Sequence, residues 1–136
     1  MIQYKQAVIC VDDDPMILQV LGFQLEKILD MSETILELCT DPLNALICID
    51  DVYVENIKVA FIITDYRMPQ MSGATFIRKV KEKYPEIPCV LLSGQANSVQ
   101  VTELKNDHLL ESFIEKPWRE LDLIKSIIAL KKYDKL

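Results

Sequence analysis

Apolar positions follow two alternating rhythms along this chain. Residues 7–11, 34–39, 59–64, 88–93 and 112–115 form short apolar runs bounded by charged or turn-forming residues, the pattern of strands. Between the first two runs Ile17, Leu18, Leu21, Leu25, Ile28 and Leu29 recur at helical spacing. Asp14-Pro15 opens that stretch with a capping side chain followed by proline at the first helical position, and Asp41-Pro42 repeats the signal before Leu43, Ala45, Leu46 and Ile49. Phe76, Ile77 and Val80 after Gly73 predict a third helix, and Leu121, Ile124 and Ile128 a last one. Residues 99–107 carry weak periodicity and are read as the fourth.

Five strands alternating with five helices imply a parallel sheet covered on both faces, joined by right-handed crossovers. The expected fold is a doubly wound α/β domain with the flavodoxin-like strand order 2-1-3-4-5, in which ligands bind beyond the carboxyl ends of the strands. With 136 residues, the chain is read as one domain over positions 1–136.

Composition narrows the partners. A formal charge of −6 argues against direct binding to a nucleic-acid backbone, which needs clustered cations. Lys125, Lys131, Lys132 and Lys135 are expected on the solvated face of the last helix, where they suit its dipole. Cys10, Cys39, Cys48 and Cys89 lack the paired spacing of a zinc site or redox dithiol, so free thiols in a reducing cytoplasm are expected. No apolar stretch reaches the roughly 18 residues of a membrane span, and no charged-then-apolar leader opens the chain.

The chemistry gathers at strand ends. The first strand runs into Asp12-Asp13-Asp14, the third into Asp65, the fourth ends in Ser93, and Lys116 follows the fifth. In the expected order the first and third strands are neighbours, so their carboxylates crowd together and repel, which raises at least one pKa unless a counter-ion intervenes. Oxygen ligands in an open site suit Mg²⁺, which keeps several waters and completes its shell with phosphate oxygens. Lys116 and Ser93 add a cation and a hydroxyl suited to the remaining oxygens of a phosphoryl group. Taken singly, each residue is unremarkable: a triple-Asp turn before a helix is normally capping and solvated acid, and Asp14 is assigned that role. The reading rests on their convergence on one sheet edge.

With these residues in view the chain resembles the receiver domains of two-component response regulators. The resemblance runs from about Val8 to Ile128 and rests on Val11-Asp12-Asp13-Asp14, on Ile63-Thr64-Asp65-Tyr66-Arg67-Met68-Pro69-Gln70-Met71-Ser72-Gly73, on Leu91-Leu92-Ser93-Gly94, and on Phe113-Ile114-Glu115-Lys116-Pro117. It implies that Asp65 is phosphorylated by a sensor histidine kinase or a histidine phosphotransfer protein. It also implies that Asp12, Asp13, Asp65 and the backbone carbonyl of Arg67 hold Mg²⁺ or Mn²⁺. Ser93 and Lys116 then bind the phosphoryl group, and Phe113 changes exposure as Ser93 moves. Lys116-Pro117 matches the family's cis peptide, a bond type that only X–Pro adopts cheaply. The implied protein is a cytoplasmic signalling domain that assists its own phosphorylation and dephosphorylation. It signals to a downstream protein or a second copy through the surface of the fourth helix, fifth strand and fifth helix.

Three features depart from the family pattern or stand outside it. Ser93 replaces the commoner threonine, residues 106–111 lack the Gly-Ala turn often found before the fifth strand, and His108, the single histidine, falls there and is read as a surface loop residue. After Ile128 only residues 129–136 remain, so no output domain is expected within them; the chain reads as a stand-alone receiver or a piece of a longer regulator or hybrid kinase.

Three alternatives remain open. Asp12-Asp13-Asp14 contains the Asp-x-Asp of Mg²⁺-dependent aspartyl phosphatases of the haloacid dehalogenase type, but Pro15 follows where Gly-Thr is expected. A receiver-like interaction module that takes no phosphate would typically lack the acceptor, the acidic pair or the lysine. Flavin binding would need a hydroxyl-rich loop after the first strand, where three acids stand instead.

Overall fold

The computed structural model describes residues 4–94 and 98–134, with side chains through Leu130. Its elements are β1 (Gln6–Val11), α1 (Pro15–Glu26), β2 (Thr34–Cys39), α2 (Pro42–Val54), β3 (Lys58–Thr64), α3 (Gly73–Lys83), β4 (Cys89–Ser93), α4 (Val99–Asn106), β5 (Ser112–Glu115) and α5 (Glu120–Asp134). The sheet order is β2-β1-β3-β4-β5 with every pair parallel, as the alternation of elements predicts.

The strands read as nearly unbroken apolar runs because helices cover both faces. Along β1, Ala7, Ile9 and Val11 enter the layer shared with Ala45, Ile49, Phe76, Ile77 and Leu104 of α2, α3 and α4. Val8 and Cys10 point the other way, into the layer built on Leu18, Leu21 and Leu25 of α1 and Leu123 and Ile127 of α5. Phe76 and Ile77 are fully buried, and truncating either to alanine should cost about 2–5 kcal/mol.

The helix starts are those predicted. Asp14 accepts a hydrogen bond from the Met16 amide at 2.9 Å and Asp41 from the Leu43 amide at 2.9 Å, each satisfying an amide with no partner inside the helix. Helix α1 ends at Glu26, so Ile28 and Leu29 lie in the turn beyond it, where Leu29 is still buried.

Helix α5 forms where the periodicity of Leu121, Ile124 and Ile128 predicts it, but its most buried residues are others. Leu123, Ile127 and Leu130 are buried, whereas Leu121 and Ile128 are 54% and 49% exposed. Apolar residues at 121, 123, 124, 127, 128 and 130 draw two overlapping helical stripes, and the phase is set by how the chain leaves β5, which periodicity does not register.

The turn before β5 manages without glycine. His108 takes a left-handed conformation (φ 58°), the Leu109 amide returns to the Leu104 carbonyl at 3.0 Å and the His108 amide to Lys105 at 3.1 Å, closing α4 with paired bonds usually built around glycine. Asn56 (φ 61°) ends α2 in the same way.

Cys10, Cys39 and Cys89 are buried free thiols and Cys48 is half-buried. Burial pushes the Cys89 thiol up to about 12, so it is protonated and inert near neutrality. Lys125 is exposed as expected; the side chains of Lys131, Lys132 and Lys135 lie outside the described residues. Among the described residues no helix is long and apolar enough to cross a membrane.

Candidate functional site

Strand register brings the acids together. Val11 of β1 pairs with Thr64 of β3, so Asp12 and Asp65 leave the sheet side by side, and the Asp65 amide donates to the Val11 carbonyl at 2.9 Å. A register shift between Ala7 and Val8 inserts one extra β3 residue below this point and sets that alignment. On the other side of β1, the Asp12 amide donates to the Cys39 carbonyl of β2 at 3.1 Å.

The carboxylates of Asp12, Asp13 and Asp65 each offer an oxygen within 4.8 Å of the others. Asp12 is 3% and Asp65 9% exposed, while Asp13 opens to solvent. The donors are therefore all hard oxygens around a mouth accessible from one side, which fits a cation that keeps waters or takes phosphate oxygens.

Lys116 enters from the end of β5. Its Nζ lies 2.7 Å from Asp12 Oδ2 and 3.3 Å from Asp65 Oδ1. The strand places it there: Ser93 of β4 pairs with Glu115, and the Lys116 amide donates to the Ser93 carbonyl at 3.1 Å. Ser93 is almost completely buried at the same level of the sheet, and Lys116-Pro117 is cis.

The electrostatics are those of charges held partly out of water. Burial pushes the Asp12 carboxyl above the usual carboxylate range and the charge on Asp65 adds to this, against hydrogen bonds from Lys116 and the Asp14 amide. Burial works to lower the Lys116 ammonium, but its hydrogen bond to Asp12 and the two carboxylate charges carry it above its ordinary value. Asp12 is thus the raised acid that crowded carboxylates produce, with desolvation contributing more than repulsion does.

The loop that follows Asp65 is fixed from behind. Thr64 Oγ1 donates to the Asp65 carbonyl at 3.0 Å, and the Gly73 amide donates to the Tyr66 carbonyl at 2.6 Å. A Cβ at position 73 would stand 2.1 Å from the Asp65 carbonyl oxygen, so only glycine allows this close approach between the start of α3 and the loop. Arg67 is exposed two residues after Asp65.

Phe113 is half-buried and has a partner the sequence did not reveal: Lys105 Nζ of α4 lies 5.1 Å from its ring centroid. Sequence reasoning also missed Tyr66, whose hydroxyl reaches the start of α4 and hydrogen-bonds Ser98 and Gln100. Ser98 ahead of a helical stretch is a legible cap, but its tertiary partner is not. His108 is exposed in its turn, away from the acidic cluster's strand ends.

The fold and this edge define the class, a doubly wound α/β domain with an acidic cluster and a lysine at the carboxyl ends of its strands. Residues 8–128 match the family described as the response regulator receiver domain, and the chain belongs to that family. It is 37% identical over 68 residues to the two-component response regulator ORR5 of Oryza sativa subsp. japonica, a stretch covering 48% of this chain and 50% of that one. It is 33% identical over 69 residues to the hydrogenase transcriptional regulatory protein HoxA of Cupriavidus necator, covering 51% of this chain and 14% of the regulator. The chain thus spans half or less of these relatives' lengths.

Solved structures agree on the fold. The signal receiver domain of an HD domain-containing protein from Pseudomonas fluorescens superimposes with a TM-score of 0.79 at 22% identity, covering 95% of this chain and 96% of that one. The isolated REC domain of RcsB from Salmonella enterica serovar Typhimurium, solved with the phosphomimetic BeF3⁻, gives 0.73 at 26% identity, covering 94% and 89%.

Proposed function

We propose that Asp65 accepts a phosphoryl group from a phosphohistidine of a sensor kinase or phosphotransfer protein, and that the resulting change is read at the surface of α4, β5 and α5. The observation that carries the reading is the meeting of three carboxylate oxygens within 4.8 Å with Lys116 Nζ at 2.7 Å from one of them. An Asp65 oxygen attacks phosphorus, the P–N bond breaks, and its electron pair returns to the donor imidazole.

Asp12, Asp13, Asp65 and the Arg67 carbonyl are the groups that would hold Mg²⁺ or Mn²⁺. Bound there, the ion supplies positive charge to the carboxylates and to the phosphoryl oxygens, which is what phosphoryl transfer most needs. Lys116 stands beside Asp65 and offers a second cation to a phosphoryl oxygen once its bond to Asp12 loosens. Ser93, level with it on β4, offers a hydroxyl to another. The domain assists the transfer and later hydrolysis of its own phosphoryl group and needs no effector enzyme for either.

Downstream, a protein target or a second copy of the chain reads α4, β5 and α5, in the cytoplasm where histidine kinases act. The test is transfer itself: a purified, phosphohistidine-loaded phosphotransfer protein should lose label to this chain in the presence of Mg²⁺ and keep it when a chelator is added. Retention of label on the donor with Mg²⁺ present, across several donors, counts against the reading.

A further inference from the structure

Tyr66, the residue immediately after the proposed acceptor, is held at both ends. Its carbonyl accepts from the Gly73 amide at 2.6 Å, which ties its backbone to the first residue of α3. Its hydroxyl donates to Gln100 Oε1 at 2.7 Å and accepts from Ser98 Oγ at 3.1 Å, which ties its side chain to the first turn of α4. The ring between is half-buried against the layer formed by α2, α3 and α4.

The hydrogen bonds close on themselves. Ser98 Oγ caps α4 by accepting from the Gln100 amide at 3.2 Å while donating to Tyr66, and Tyr66 donates onward to the side chain of the same Gln100. Each hydroxyl is at once donor and acceptor, an arrangement in which one bond polarises the next. Gln100 Oε1 also lies 3.4 Å from Ser72 Oγ, the side chain that caps α3 through the Thr75 amide at 3.1 Å. The caps of both helices beside the acceptor loop therefore meet on one tyrosine hydroxyl and one glutamine.

Position makes this more than local capping. Asp65 and Tyr66 share a peptide unit, and Gly73 leaves no slack behind them, because its missing Cβ is already filled by the Asp65 carbonyl. A displacement of the acceptor's backbone must move the phenol or break its bonds to α4. Ser93 and Phe113 lie instead on the neighbouring strands β4 and β5.

We propose that Tyr66 is a positioning residue that couples the acceptor loop to the N-terminus of α4 through its hydroxyl, as a route separate from Ser93 and Phe113. The inference rests on Asp65 being the phosphorylated residue. Phosphorylation then shifts the orientation of α4 by tightening or releasing the Ser98–Tyr66–Gln100 ring, and α4 forms one side of the surface proposed for readout.

The experiment uses beryllofluoride with Mg²⁺ as the phosphoryl mimic and follows backbone amides by NMR in wild type, Tyr66→Phe, Gln100→Leu and the double variant. Tyr66→Phe removes only the hydroxyl and keeps the ring in its half-buried place, so the fold is retained. Shifts next to Asp65 should appear in all four proteins and report that the mimic has bound. Shifts at residues 99–102 should be large in wild type and largely lost in either single variant. The double variant should lose no more than either alone, since all interrupt one chain of bonds. Phe113 should respond as in wild type throughout. Wild-type shifts at 99–102 in Tyr66→Phe overturn the coupling while leaving the acceptor assignment standing. Absence of any shift beside Asp65 in wild type overturns the acceptor reading, and the coupling with it.

Discussion

Lys116 Nζ and Asp12 Oδ2 lie 2.7 Å apart across the carboxyl edge of the sheet, although 104 residues separate them in the chain. The pair carries the charge balance of the site, for Asp12 is 3% exposed and the neighbouring Asp65 9%. Removing the cation leaves two buried carboxylates facing each other. Lys116→Met should therefore destabilise the metal-free protein by about 2–3 kcal/mol, somewhat below the usual penalty for orphaning a fully buried charge because Lys116 reaches solvent.

The same account fixes how metal acts on stability. Mg²⁺ should raise the melting temperature of wild type by binding the native state, and should raise that of Lys116→Met by more, since the ion replaces the missing charge. Asp13→Ala should remove most of the wild-type rise. Thermal melts with chelator and with Mg²⁺ check all three proteins, and an undiminished metal response in Asp13→Ala places the ion elsewhere.

Lys105 gives Phe113, the residue proposed to change exposure, a partner that the sequence did not suggest. Phenylalanine has no hydroxyl to hold it at the rim, which implies an inexpensive inward movement. The cation 5.1 Å from its ring centroid supplies a hold of a different kind, worth about 0.5–1 kcal/mol at an exposed site. Beryllofluoride should perturb NMR signals across residues 103–121 in wild type and much less in Ser93→Ala, where the shifts at 99–102 should persist through Tyr66. Lys105→Met should shift the Phe113 ring signals toward their activated positions before any mimic is added. Unchanged resting signals in that variant remove Lys105 from the account, and wild-type shifts across 103–121 in Ser93→Ala remove the hydroxyl.

Away from the site, Asp50 of α2 and Tyr84 at the end of α3 give a pH signature. The Tyr84 hydroxyl donates to Asp50 Oδ1 at 2.5 Å, and its ring stacks on Tyr53 with centroids 4.3 Å apart. The bond from Tyr84, helped by Lys83, lowers the Asp50 carboxyl below 3.8, while the same bond raises the Tyr84 phenol from 10.0 to about 12. A depressed acid contributes stability that is present above its unfolded value of 3.8 and lost as pH falls through the folded value. A raised phenol contributes stability that is present below 10.0 and lost as pH rises through about 12. Tyr84→Phe should cost about 1 kcal/mol at neutral pH and flatten the stability profile at both ends. Denaturant melts from acid to alkaline pH measure it, and a cost that stays constant across that range contradicts the assignment.

What could be read from the chain itself follows a physical divide. Strands buried on both faces announce themselves as apolar runs, and Asp14-Pro15 and Asp41-Pro42 mark helix starts through bonds made within two residues, so these were legible. Asp12 and Asp65 were legible as neighbours because parallel order alone sets their strands side by side. Tyr66 and Gln100 were not: 34 residues separate them, and neither belongs to a pattern with a fixed period. The face of α5 and the left-handed His108 escaped for a related reason. Several local solutions satisfy the same residues there, and tertiary packing selects among them.

The central claim is that Asp65 is the acceptor, and locating the phosphoryl group tests it most directly. A small-molecule phosphodonor with Mg²⁺ should add one acid-stable, hydroxylamine-labile group, and peptide mapping after borohydride reduction should place it on Asp65. Asp65→Asn should abolish the modification with little change in the thermal melt. Modification of Asp12 in place of Asp65, as an aspartyl phosphatase of the haloacid dehalogenase type would show, or undiminished labelling of Asp65→Asn, would contradict the account.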